Sequence, residues 1–204
     1  MDAFTKVLHT ISEMLEDRGY DVTPLGDRDG LLRIYGDGSL FSVTLKKTGG
    51  STDSTMRVVF FPQAQLKMEI IRKAMDGPAD YLLVIHSADK LKPNVRNAAD
   101  ELRLKLATTG HMLQVFAFKE LEVNIMKHVW QPRFERLTGT ELSEMYANHG
   151  LTPERAARQL HHIRSDDKVA RFMGLKTGDV VKITRATPSV GFSVSYRVCV
   201  AAAT

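Results

Sequence analysis

Tyr81–Ile85 is an unbroken apolar run, too short to be a buried helix and the right length for a strand covered on both faces. Met112–Phe118 reads as a second strand. Between them, just after Pro93, the residues Val95, Ala98, Ala99, Leu102 and Leu106 recur at helical spacing. A strand, a helix and a strand in that order imply a crossover in a partly parallel sheet. The N-terminal part of the chain is therefore expected to be an α/β module.

Phe4, Val7, Leu8, Ile11, Met14 and Leu15 form the stripe of an amphipathic helix over about 4–18, with Gly19 as its left-handed end. Leu31–Tyr35, Leu40–Leu45 and Arg57–Phe61 read as three strands of a meander, separated by Gly36, Gly38 and the polar Thr48–Thr55 loop. Pro62 suits the first turn of another helix, with Leu66, Ile70, Ile71 and Ala74 as its apolar set and Gly77-Pro78 as its stop.

The pattern changes near His128, which divides the chain into 1–127 and 128–204. Thr138 and Glu141 have capping-box spacing ahead of Leu142, Met145 and Tyr146, and Gly150 ends that helix. Thr152-Pro153 opens a shorter helix to about Leu160, and Asp167 caps a third containing Val169, Phe172 and Met173, stopped by Gly174. Val180–Arg185 and Phe192–Val200 read as two strands, with Phe192, Val194, Tyr196, Val198 and Val200 on one face. This second module is expected to be small and α+β.

Composition narrows the chemistry. Cys199 is the sole cysteine of 204 residues, so no internal disulfide and no multi-cysteine metal site can form, and a reducing compartment is expected. Neither a signal peptide nor a membrane span is expected, because no apolar run approaches bilayer length. Residues 1–127 hold 17 basic and 17 acidic side chains and 128–204 hold 11 and 7, so the whole net charge of +4 lies in the second module.

A search for catalytic groups finds none that cluster. His161 and His162 are adjacent and diverge on a helix, so with His149 they are read as exposed or hydrogen-bonded rather than metal-binding. Cys199 falls on the strand face opposite Phe192 and Val194 and is read as a packed side chain. Gly36-Asp37-Gly38 and Gly49-Gly50 lack the lysine and strand-to-helix setting of a phosphate loop. Gln114–Lys119 has no carboxylate, so Lys119 alone cannot build a metal-dependent nuclease site. Neither a cofactor nor a metal is expected.

The run Val169–Ile183, followed by Arg185, Gly191 and Tyr196-Arg197, resembles the signature of the fifth-largest subunit shared by eukaryotic RNA polymerases I, II and III, and of its shorter counterpart in archaeal RNA polymerases. Upstream, Glu120–Ile125 with His128 and Pro132, Met56–Pro62 and Asp17–Tyr20 resemble other parts of the eukaryotic family in the same order. The chain departs from the family at His161 and Lys168, where prolines are usual, and at Ala186–Ser189.

The resemblance implies a non-catalytic subunit. Its C-terminal α+β module would be an assembly domain docking on the largest polymerase subunit, with His128, Pro132, Arg171, Gly174, Gly178, Lys182, Arg185, Gly191, Tyr196 and Arg197 as interface residues. Its N-terminal α/β module would form part of the lower jaw beside downstream double-stranded DNA. A loop at Lys90, Lys92, Pro93 and Asn94 would approach the phosphates without reading sequence, with Asn94 capping the following helix. A second DNA-proximal position of the family corresponds to Thr109. The expected location is the nucleus, or a viral compartment if the source is a large DNA virus. A free-standing DNA-binding transcription regulator is the alternative, although no helix-turn-helix, zinc-finger or basic-zipper pattern is present.

Overall fold

The stripe from Phe4 to Leu15 is the buried face of α1 (Ala3–Asp17), and Gly19 follows it with a left-handed φ of 81°. The computed structural model describes residues 2–48, 55–61, 75, 79–85, 93–187 and 191–202, which group into two units, Met1–Asn124 and Ile125–Thr204. Both units mix helices and strands.

In the first unit, β1 (Phe41–Lys46), β2 (Thr55–Phe61), β3 (Asp80–Ile85) and β4 (Leu113–Ala117) stand in the order β1-β2-β3-β4. β1 is antiparallel to β2, whereas β2, β3 and β4 run parallel. The expected strand, helix, strand crossover is present.

One helix of that crossover, running over Pro93–Thr108, packs Leu102 and Leu106 against Val59, Tyr81, Leu83, Leu113 and Val115. On the other face the Phe4 ring lies 5.8 Å from Phe60, which stacks on Phe41 at 4.7 Å. Val58, Val59, Phe60, Leu82 and Leu83 lose all solvent exposure. Each such side chain contributes about 1.5–3 kcal/mol relative to leaving it in water.

Leu31–Tyr35 is not a strand. It lies in α2 (Arg28–Gly36), because the Asp27 carboxylate accepts the Gly30 N–H at 3.0 Å and caps the first turn. Leu31 and Tyr35 then fall on one helical face, with Leu31 buried and the Tyr35 ring stacked on Phe4 at 4.3 Å. The run therefore does not extend the meander. The helix expected from Pro62 to Ala74 and its stop at Gly77-Pro78 lie outside the described residues. The crossover helix, α3 (Pro93–Thr108), is already helical at Pro93, so Asn94 lies within the helix and not at the residue before it.

The second unit adds two strands that the sequence pattern does not announce. Its sheet contains β5 (Arg133–Arg136), β6 (His161–Arg164), β7 (Val180–Thr187) and β8 (Gly191–Val200) in the order β5-β7-β8-β6. β7 is antiparallel to β5 and β8, and β6 is parallel to β8. β5 and β6 are only four residues long and largely polar, and neither shows a long alternating pattern.

Three helices cover this sheet: α4 (Gly139–Asn148), α5 (Pro153–Gln159) and α6 (Lys168–Met173). α4 starts after Thr138 as its spacing suggests, but the Thr138 hydroxyl makes no capping bond. Thr152 does cap α5, accepting the Arg155 N–H at 3.3 Å, and Asp167 caps α6 by accepting the Val169 N–H at 2.8 Å. One sheet face packs Val181, Ile183, Ile163 and Cys199 against Ala170 and Leu175, and the other packs Val180 and Val198 against Leu137 and Met145.

A half-buried polar knot ties the end of α1 to the parallel sheet. Asp80, at the start of β3, accepts the Met112 N–H at 2.7 Å and faces the Tyr20 hydroxyl at 3.5 Å and His111 Nδ1 at 3.8 Å. Burial and the Asp80 charge push the Tyr20 phenol up to about 12. Burial lowers the Arg18 guanidinium to about 10 against opposing contributions from Tyr20 and Asp80, so it stays cationic at neutral pH. Asp80→Ala would strand the Met112 N–H, and is expected to destabilise the chain by about 1–3 kcal/mol in urea unfolding. An unchanged unfolding midpoint would show that Asp80 is dispensable.

Candidate interaction surface

The signature run builds a helix, a turn and a strand. Gly174 ends α6 with a φ of 65°, a left-handed conformation that a side chain disfavours, and its N–H returns to the Arg171 carbonyl at 3.2 Å. The next turn is clamped onto β8 from both sides of one residue. The Gly178 N–H donates to the Cys199 carbonyl at 2.9 Å, and the Cys199 N–H donates to the Asp179 carbonyl at 2.7 Å.

Asp179 is the residue that sequence reasoning misses. Its carboxylate accepts the Lys176 N–H at 2.7 Å and pairs with Arg136 at 2.9 Å, joining the turn to β5. The signal available in the sequence is an aspartate three residues after Lys176, the spacing of a side chain folding back on its own turn.

The expected interface residues on the β7–β8 hairpin divide between its two faces. Lys182 lies opposite Tyr196, and both share the face of Val180 and Val198. Arg185 and Arg197 lie opposite Ser193 and Val181 on the other face, with Ile183 and Cys199. The four do not form a single patch. Arg171 is half-buried on α6, and Gly191 opens β8 with a φ of 81° opposite Thr187.

His128 shapes the entry to β5, with its Nδ1 accepting the Trp130 N–H at 3.3 Å and its carbonyl accepting the Gln131 N–H at 2.9 Å. Pro132, half-buried, leads into the strand. The turn leaves Val129 91% and Trp130 86% exposed.

Lys90 and Lys92 lie outside the described residues. Pro93 is exposed at the first described turn of α3, and Thr109 is exposed just beyond its other end. His162 Nε2 lies 3.0 Å from the Ala157 carbonyl, and the His149 ring meets Tyr196 edge-on at 5.3 Å. Among the described residues no three histidine, cysteine or carboxylate groups converge as metal ligands, and no helix is long and apolar enough to cross a membrane.

The family described as RNA polymerase Rpb5, C-terminal domain, matches residues 123–199, which contain the clamped turn and most of the hairpin. This sets the class as a subunit of DNA-directed RNA polymerases. The chain is 30% identical over 199 residues to the RNA polymerases I, II and III subunit rpabc1 of Dictyostelium discoideum, covering 96% of each chain. It belongs to the family of that shared fifth subunit. It is 29% identical over 205 residues to the RNA polymerase V subunit 5C of Arabidopsis thaliana, covering 92% of this chain and 80% of that one. The archaeal subunit Rpo5 of Sulfolobus acidocaldarius is 40% identical over 76 residues, 37% of this chain and 86% of its own.

Cys199 is buried, as its strand face suggests, and burial followed by the Asp179 charge pushes its thiol up to about 11. Against an ordinary thiol near 9, native Cys199 is expected to react with iodoacetamide at pH 8 about 100-fold more slowly than in the urea-unfolded chain, from its thiolate fraction alone. Equal rates in the two states would contradict this packing.

Proposed function

We propose that this chain is a non-catalytic subunit of a nuclear DNA-directed RNA polymerase, docking on the largest subunit through its C-terminal unit. The observation that carries the reading is the relationship to rpabc1 along 96% of both chains, which includes the first unit as well as the signature hairpin. The archaeal relative corresponds to a segment of this chain about as long as the second unit, which supports that unit as the docking part. The first unit then serves as part of the lower jaw, with Lys90, Lys92 and the Pro93-Asn94 end of α3 beside downstream duplex. Its catalytic metals and active site belong to the other subunits.

A tagged copy of the full chain, isolated from its own cells, is expected to bring down the largest subunits of one or more RNA polymerases and to sediment as part of a large complex. Recovery of the chain alone would favour the free-standing regulator.

Charge reversal at Lys90 and Lys92 tests the jaw reading separately. Removing one lysine–phosphate pairing lowers the slope of log affinity against log salt by about 0.9, because fewer counterions are released. Polymerase carrying Lys90→Glu and Lys92→Glu is expected to hold downstream duplex more weakly and with a shallower salt dependence, irrespective of DNA sequence. An unchanged slope would remove these two lysines from the DNA path.

A further inference from the structure

The second sheet is long in the middle and short at its sides. β8 spans Gly191–Val200, but β6 pairs only with Arg197–Val200. Among the described residues no strand lies along the outer side of Gly191–Tyr196. Alternate residues of such a segment aim their N–H and C=O groups away from β7, with no ladder to receive them. The open edge is six residues, about 20 Å of strand.

Its side chains do not protect it. Soluble proteins blunt an exposed edge with lysine, proline, a bulge or an inward-pointing charge. Gly191, Phe192, Ser193, Val194, Ser195 and Tyr196 include no charge and no proline. Phe192 is 73% and Val194 50% exposed, continuing the apolar row that runs from buried Val198 through half-buried Tyr196. The opposite row of Ser193 and Ser195 is small and adds no steric block.

The charged residues of β7 and β8 are all basic. Arg185 and Arg197 share the face of Ser193 and Ser195, whereas Lys182 lies on the face of Phe192 and Val194, opposite Glu135 of β5. Pairing two copies edge to edge would bring these cations together, whereas an acidic partner is attracted to them.

Resting on the proposed membership of a polymerase, we infer that the Gly191–Tyr196 edge of β8 receives an extended segment of another polymerase subunit as an added strand in line with β6. The recognised segment alternates apolar residues, which cover Phe192 and Val194, with aspartate or glutamate facing Arg185 and Arg197 on the other side. Backbone bonds to the edge supply register-independent affinity, and the apolar row with the cations selects the partner.

Amide hydrogen exchange of the free full chain, compared with polymerase purified through a tag on it, tests this. Alternate amides within Gly191–Tyr196 are expected to slow about 100-fold or more in the complex, because new ladder bonds must open before exchange. The double variant Phe192→Ser with Val194→Ser alters exposed positions, so it is expected to fold, with a melting curve like the parent's, and to bind the polymerase about 10- to 100-fold more weakly. Polymerase that retains the chain with these amides still exchanging freely overturns the added strand while leaving membership intact. A chain never recovered with polymerase overturns both readings. Protection of the same amides in the free chain, rising with its concentration, would instead assign the edge to a second copy and overturn the acidic partner.

Discussion

A strand must find partners for the polar groups along both of its sides, and in the second unit that requirement runs through β8. It is the one strand that meets β6 and β7 at once, and its Cys199 backbone also receives the Gly178-Asp179 turn. The two hydrophobic clusters lie on opposite faces of this ladder near Val198 and Cys199. Packing is thus concentrated at one end of the hairpin, and the other end projects beyond it. The same strand serves as a structural centre at Val198 and as an exposed surface at Phe192.

The first unit solves a different problem. Three parallel strands leave little polar surface between their side chains, so helices must cover both faces of the sheet. α1 and α3 provide this cover, and aromatic packing runs from Phe4 through Phe60 to Phe41. The Asp80 carboxylate serves the residues where β3 and β4 begin, a place where the regular ladder cannot satisfy every donor. Its neighbours Arg18, Tyr20 and His111 make this a polar island at the border of an apolar layer.

Much of this architecture is legible in the sequence because periodicity and buried position coincide. α1, the crossover around α3 and the Phe192–Val200 strand each repeat an apolar residue at the spacing of their own geometry. Leu31–Tyr35 misleads because an apolar cluster looks strand-like until the Asp27 cap is recognised as a helix start. β5 and β6 escape because four polar residues at a sheet edge have only one or two side chains facing the core. Within the interaction surface, the glycines and basic residues are visible as a pattern. Their separation onto two faces depends on pairing between β7 and β8, which is a property of register rather than spacing. Asp179 is hidden for the same reason, since its partner Arg136 lies 43 positions away.

The order of strands in the second sheet also shapes how the unit can be made. β6 leaves the ribosome well before β8, yet among the described residues β8 is its only neighbour in the sheet. Until that later strand emerges, β6 has no ladder to join, and Ile163 must wait for the layer that will bury it. A nascent chain paused after β7 would hold β5 and β7 as a partial sheet, with α6 beside a half-built core. Completion of this unit consequently waits for β8, and a chain interrupted inside β8 would leave β6 without a ladder rather than merely trim the sheet's edge.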